Sequence, residues 1–403
     1  MIKNKLYNIQ LQIINKKTYN KFSQKILSQK MSEWDMPIYV PKNQQNKPQQ
    51  IQQSKEAQQN HYQQTNKSKV QYIPKVQAQK NEDLEEKKVN IDQLDQQKNV
   101  QTQKNKNLRF FDVAANLGSS QFAGFYKGKK FHENDVKDVI QRANEGGCDR
   151  LLLSASNLKD AKECYQISQM SDKFYCTVGL HPAKANEADQ NTNNYFNQLD
   201  GLIQKYGKKC VAVGECGLDY DRLFCSKKDV QLKVFEAHFN LSEKHQLPLY
   251  LHSRNSREDF LNILQKNKKR FTNGLVHSYT GGIAELEELL QEGLYISINA
   301  LTFKHKKDYE VVKRIPLDRI MIETDAPYCK IKPSDDGFSL LTSEEPQFIK
   351  KEKYQKGFFI QGRNEPYFVR EVSQMLSAVL EKDEYEIAEQ CYQNSLKFFN
   401  IQE

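Results

Sequence analysis

The chain has 403 residues, enough for two or three average domains or for one large domain and a tail. Its 60 Lys and Arg against 51 Asp and Glu give a net charge of +9, but residues 1–107 hold 19 Lys, no Arg and 9 acids, so the excess sits there and the rest is close to neutral. No run approaches 18 consecutive apolar residues, which excludes a membrane-spanning helix, and eight scattered Cys without a CxxC pair exclude a disulfide scaffold and a zinc ribbon. With no signal-peptide core either, the pattern predicts an intracellular protein with reduced thiols.

In chain order, residues 1–32 carry seven Lys and no acid among scattered Ile, Leu, Tyr and Phe. They read either as an amphipathic mitochondrial leader or as compositional drift, which the absence of Arg favours. About a third of residues 1–107 are Gln or Asn, with no sustained apolar period, so 43–107 is expected to stay disordered: it has too little apolar surface to offset chain entropy. The basic tail is available for non-specific nucleic-acid contact or is simply solvated.

Order is expected from residue 108 onward. Short β-rich runs at 109–113, 150–153, 174–178, 210–213, 247–251, 274–276, 294–298 and 319–322 alternate with amphipathic stretches. Three of those stretches are marked by Leu232, Phe235 and Phe239; by Ile283, Leu286 and Leu290; and by Val369, Val372 and Leu376. Eight strands with intervening helices over 108–403 predict a (β/α)8 TIM barrel behind a disordered N-terminal tail. A doubly wound open sheet would want a glycine-rich phosphate turn after the first strand, where Ala114, Ala115, Asn116 and Leu117 stand instead.

In such a barrel the C-terminal strand ends share one face, where chemistry is built. Reading off each run gives Asp112 and Asn116, Ser154, His181, Glu215, His252, His277, Asn299 and Asp325. Three of the chain's eight His fall at these positions, which chance placement would rarely produce. A carboxylate with two imidazoles (Glu215, His252, His277) holds a divalent cation, and a second carboxylate, Asp325, takes the proton from an attacking water. Metal-assisted hydrolysis is therefore the expected chemistry.

The motifs VGLHP (178–182), GECGLDYDR (214–222), LHSRNS (251–256), HSYTGG (277–282), ETDAP (323–327) and RNEP (363–366) resemble the TatD family of metal-dependent deoxyribonucleases, most closely its eukaryotic TatD-domain-1 and bacterial TatD branches. The resemblance runs from Phe111 to about Phe399 and leaves the tail outside. It implies a TIM-barrel enzyme that removes nucleotides from DNA, commonly 3′ to 5′, and an exonuclease on single strands or frayed ends is the expected activity. It also implies Glu215, His252, His277 and Asp325 as ligands of a divalent metal: Mg²⁺ first, Mn²⁺ or Zn²⁺ as alternatives. Many relatives carry Asp-x-His-x-His after the first strand. Here Asp112 is followed by Val113, Ala114, Ala115 and Asn116, so both imidazoles are missing and one held ion is expected, a second arriving with the substrate phosphate. Asp112 and the Asn116 carbonyl oxygen are the candidate ligands there, a set that suits Mg²⁺.

His181 is expected to contact the scissile phosphate or protonate the leaving oxygen, or else to cap a helix. Arg254 has a planar fork matching a phosphodiester. Asp219 and Arg222 either orient ligands and bind the backbone or form an internal ion pair. Tyr220 and Tyr279 occupy rim loops where a ring stacks an unpaired base or simply packs. Cys216 reads as a small buried residue. The segment 328–363, with Lys330, Lys332, Lys350, Lys351, Lys353 and Lys356, is too long for an ordinary barrel loop and is expected to be a lid or substrate clamp. A monomer in the nucleus or cytoplasm, or in the mitochondrion if 1–32 is a leader, completes the expectation. The rivals are an amide or ester hydrolase on the same barrel and a nucleic-acid-binding protein that has lost catalysis.

Overall fold

The computed structural model describes residues 108–403. The expected disorder of the tail and the leader reading of 1–32 lie outside the described residues.

Eight all-parallel strands pair in chain order: β1 Phe110–Ala115, β2 Cys148–Leu153, β3 Phe174–Val178, β4 Cys210–Asp219, β5 Leu249–Arg254, β6 Gly274–Val276, β7 Tyr295–Ile298 and β8 Ile320–Ile322. The sheet closes on itself through one bridge between Ala115 and Ala326, where the Asn116 N–H meets the Ala326 carbonyl at 2.8 Å. This is the expected TIM barrel. The runs are apolar on both faces because a parallel barrel buries both. Each strand lends one set of side chains to the helices outside, and Phe111, Val113, Leu152, Val211, Tyr250, Leu275, Tyr295 and Met321 to the barrel interior.

The helices follow the expected periodicities. Among them are α1 Val136–Glu145, α2 Leu158–Ser168, α3 Thr192–Tyr206, α4 Lys228–His245, α5 Arg257–Lys266, α6 Ile283–Gln291, α7 Tyr309–Lys313, α8 Val369–Leu380 and α9 Glu384–Phe398. The Asn157 side chain caps α2 and the Asp383 side chain caps α9, each accepting N–H groups of the first turn. From α9, Asn394 donates to the Leu317 and Ile320 carbonyls, while Tyr392, Leu396, Phe398 and Phe399 pack into the interior cluster. The N-terminal end of the barrel is thus plugged, and the polar chemistry is left to the opposite end.

The segment after β8 is folded onto the barrel rather than standing over it as an open lid. The Lys330 ammonium is buried against Glu371 at 2.6 Å, lying 3.7 Å above the Phe368 ring. Lys351 lies over the Tyr126 and Phe131 rings, and Lys356 pairs with Asp138. Arg363 is fully buried between Asp135 (2.6 Å) and Glu365 (2.8 Å), and Glu365 also holds Arg142. Breaking such a buried pair costs about 3–5 kcal/mol, so these charges fasten the last loop to the first. Lys330 and Lys351 are structural here, which corrects their expected place in a substrate clamp.

Candidate metal centre

The strand ends β3 to β6 bring four of the expected groups onto one atom. Glu215 lies within β4, whose neighbouring glycines let the chain approach β5 closely: a Cβ at Gly214 would sit 2.3 Å from the Tyr250 carbonyl, and one at Gly217 1.9 Å from that of His252. Around the Glu215 Oε1 gather His277 Nε2 at 2.8 Å, His252 Nδ1 at 2.9 Å and His181 Nε2 at 3.3 Å. The other ring nitrogen of His252 faces the Asp219 Oδ2 at 3.1 Å. Donor atoms of Glu215, His252 and His277, and separately of His181, Asp219 and His252, lie within 4.8 Å of one another.

Electrostatics distinguish the three rings. Burial alone would raise the Glu215 carboxyl, but the His181 and His277 imidazoles and the hydrogen bonds from His181 and His252 hold it well below the usual range. Burial would likewise lower His277, yet Glu215 and Glu323 carry it well above an ordinary histidine, and Asp219 with Glu215 raises His252. For His181 burial wins and the ring is held neutral. Its Nδ1 accepts the Ala183 N–H at 3.0 Å, so the neutral ring carries its proton on Nε2, the atom aimed into the cluster. His181 therefore both caps the turn Pro182–Lys184 and presents a donor.

Glu323, the first residue after β8, is an acid that sequence reasoning passed over in favour of Asp325. It is fully buried, accepts from Asn299 Nδ2 at 3.0 Å and from the Ser297 hydroxyl, and sits 3.5 Å from His277 Nδ1. Glu323 thus lies at the Nδ1 edge of the His277 ring and leaves Nε2, the atom turned to Glu215, for a cation. The available signal was its position, directly at the end of a barrel strand and inside a motif already singled out. Asn299, read at a strand end without a role, is its donor.

Asp325 stands in the left-handed region (φ +52°) beside the cluster. Its carboxylate takes the Asn116 amide at 2.8 Å and the Cys329 thiol at 3.3 Å, and the Asn116 carbonyl oxygen in turn accepts from Ser154 at 2.7 Å. Burial first, then the Glu323 and Glu215 charges, push Asp325 up to about 6 against the pull of His277.

Several expected roles change. Asp112 is completely buried, and its two oxygens are filled by the Thr324 N–H (2.9 Å), the Thr324 hydroxyl and the Ala114 N–H (3.1 Å). It laces β1 to the loop after β8 and joins neither ligand group. Asn116 spends both ends of its amide on Ser154 and Asp325, making it a positioning residue instead of an oxygen ligand. Tyr279 is buried, its hydroxyl on the Gly282 carbonyl at 2.7 Å, so its ring cannot stack a base. The Tyr220 hydroxyl is bound to Asp259 and its ring packs on the core. Arg254 remains at the rim, shared between Asp221 (3.3 Å) and Thr280; Arg222 lies 3.4 Å from Asp219. Cys216 is a small buried residue, as read.

Asp219 Oδ1 is buried without a partner at the border of this cluster, and the donor set of carboxylate and imidazole fits a divalent cation. The family model described as TatD related DNase matches residues 111–400. The chain belongs to that family. A TatD-family relative from Schizosaccharomyces pombe, Deoxyribonuclease Tat-D, is 36% identical over 303 residues, spanning 73% of this chain and 97% of its own. The 3'-5' ssDNA/RNA exonuclease TatD of Erwinia tasmaniensis is 30% identical, covering 72% of this chain and all of its own. Among solved structures, a TatD family hydrolase from Entamoeba histolytica superposes with a TM-score of 0.70 at 32% identity, over 73% of this chain and 99% of that one.

Proposed function

We propose that residues 108–403 form a metal-dependent deoxyribonuclease domain that hydrolyses DNA phosphodiesters, acting as a 3′–5′ exonuclease on single strands or frayed ends, with Mg²⁺ as the working ion. The observation that carries this is the convergence of His181, His252 and His277 on one Glu215 oxygen in a chain of the TatD family. The polarity and the single-stranded substrate rest on the likeness to the bacterial 3'-5' ssDNA/RNA exonuclease.

Glu215, His252 and His277 are the residues that would hold the ion, with Asp219 against the far side of His252. Such an ion polarises a phosphoryl oxygen and acidifies a water. The chain's own residues do the rest. His181 directs its Nε2–H at a phosphoryl or leaving oxygen, neutral and already oriented by its Ala183 contact. Asp325, held by Asn116, accepts the proton of the attacking water. Arg254 and Arg222 present guanidinium groups to the neighbouring phosphate. One chain supplies every group, so a monomer suffices, and the free thiols agree with an intracellular setting. Among the described residues no helix is long and apolar enough to cross a membrane.

The test is a time course on 3′-labelled and 5′-labelled single-stranded oligonucleotides in Mg²⁺ and in EDTA. A Mg²⁺-dependent ladder with the 3′ label lost first is expected. Cleavage of chromogenic amides or esters with intact oligonucleotides would overturn the reading, as would cleavage that persists in EDTA.

A further inference from the structure

Among the described residues seven large apolar side chains are exposed, and five of them (Phe125, Leu223, Phe224, Leu301 and Tyr328) stand on loops that follow barrel strands, at the end where the metal centre lies. Elsewhere a lone exposed ring needs no explanation; a set gathered at one mouth does. Tyr328 is 52% exposed and sits three residues beyond Asp325, its N–H bonded to the Asp325 carbonyl at 2.9 Å. Leu301, 38% exposed, lies two residues beyond Asn299, which accepts its N–H at 3.0 Å. Just past Leu301 come Lys304, His305, Lys306 and Lys307, all exposed. No carboxylate among the described residues pairs with those three ammonium groups.

This loop is built, not loose. Phe303 is fully buried, the Thr302 hydroxyl is tied to the Tyr279 carbonyl at 3.0 Å, and the Lys306 N–H is held by Asp336 Oδ2 at 2.8 Å. The Asp336 N–H returns to the Lys304 carbonyl at 3.2 Å, locking the loops after β7 and β8 together. Of the nearby acids, Asp336 is taken by the Lys306 N–H and Asp335 by the Lys332 N–H, and Asp308, directly after Lys307, is the one acid within the loop. A fixed backbone thus holds three ammonium groups without a carboxylate partner and the exposed Leu301 on the loop after β7, and the exposed Tyr328 ring stands on the neighbouring loop after β8.

We propose that residues 301–307, together with Tyr328, form the track for the unpaired strand adjoining the scissile phosphate, with the lysines on successive backbone phosphates and the Tyr328 ring under a base. Cations along a backbone with rings for unpaired bases are what a single strand needs and what a duplex, whose bases are stacked inside, cannot use. The inference rests on the nuclease reading and names the side of the site that selects single-stranded substrate.

The test is fluorescence-anisotropy binding of the full chain in EDTA, with a labelled 20-nucleotide oligothymidylate and a labelled blunt hairpin duplex as probes. The triple variant Lys304→Gln, Lys306→Gln, Lys307→Gln is expected to bind the strand about tenfold more weakly at moderate salt and to flatten its log Kd against log salt slope by about 2. The change in slope is read because the 19 Lys of residues 1–107 add counterion release of their own. Tyr328→Ala is expected to cost about fivefold or more on the strand, with the salt slope and hairpin binding unchanged. The exposed pair Lys205→Gln, Lys208→Gln, at the other end of the barrel, is the control and should bind as wild type. A triple variant indistinguishable from that control overturns the inference, and so does a Tyr328→Ala protein that loses as much affinity for the hairpin as for the strand. Binding in EDTA is independent of cleavage, so a chain that binds this way but never cuts would refute the nuclease reading and leave the track standing.

Discussion

Two sets of buried carboxylates lie at the same end of the barrel and differ in who their partners are. At the seam between β1 and the loop after β8, Asp112 is met by two backbone N–H groups and a threonine hydroxyl. At the ends of β3 to β6, Glu215 is met by three imidazoles. A carboxylate whose oxygens are filled by donors of its own backbone is a fastener, with nothing left to offer an ion. One surrounded by groups that are themselves ligands marks a place where a cation can replace the mutual contacts. The lesson is that burial and position at a strand end do not separate the two roles; the identity of the donors does.

The comparison breaks if the two carboxylates respond alike to removal. Asp112→Ala leaves two N–H groups and a hydroxyl unmatched in the interior and should cost about 3 kcal/mol of stability, read as a lower denaturation midpoint with unchanged slope. At a temperature where it stays folded, its nuclease rate should fall by no more than about tenfold. A smaller effect is expected at the link between fastener and ligand. Glu323→Gln keeps the Asn299 neighbour but removes the charge beside His277, and should weaken apparent metal affinity and activity by about 10–100-fold without loss of fold. If metal affinity is untouched, Glu323 belongs with the seam.

The pH dependence sharpens the contrast further. Asp325, raised to about 6, works as a base only when ionised, so the rate should climb with pH and level off above about 6, lower still once a cation is bound nearby. An acid limb centred above pH 7 would remove it from that role. Asp112, pushed up to about 8 by burial, has the opposite consequence for stability. Its native pKa exceeds the unfolded value of 3.8, so the native state binds the extra proton and stability falls as pH rises from about 4 to about 8. Asp112→Asn should flatten that slope.

Much of this architecture was legible in the chain. All eight strands are where the apolar runs place them, because a parallel barrel buries both faces of every strand and leaves short uninterrupted β-rich segments. The ends were less sharp: β4 runs on to Asp219, six residues past its expected end, since glycines at 214 and 217 keep the strand paired with β5 through the motif. His181, His252 and His277 stood out because three of eight His fall at equivalent positions, and the structure gathers them round Glu215. Asp112 and Asn116 were misread because strand-end position is a property of sequence, whereas the Thr324 and Ser154 partners that consume them stand just past other strands, remote in the chain. Tyr279 failed for a similar reason: a rim-loop tyrosine and a buried one have the same local sequence. The lysines of residues 304–307 went unnoticed since a charge run gains meaning only once its loop is seen fixed at the C-terminal end of the barrel and tied to the loop after β8.

The central claim, that the Glu215 cluster is a cation site, is tested most directly by the melting temperature of wild type and of Glu215→Ala with increasing Mn²⁺ or Mg²⁺, starting from EDTA. A cation that binds only the native state stabilises it by about 2.7 kcal/mol at a hundred times its dissociation constant. Wild type should therefore rise by several degrees above its own value in EDTA, while Glu215→Ala, which starts lower, stays flat. An equal rise in both proteins, or none in wild type, would contradict the account.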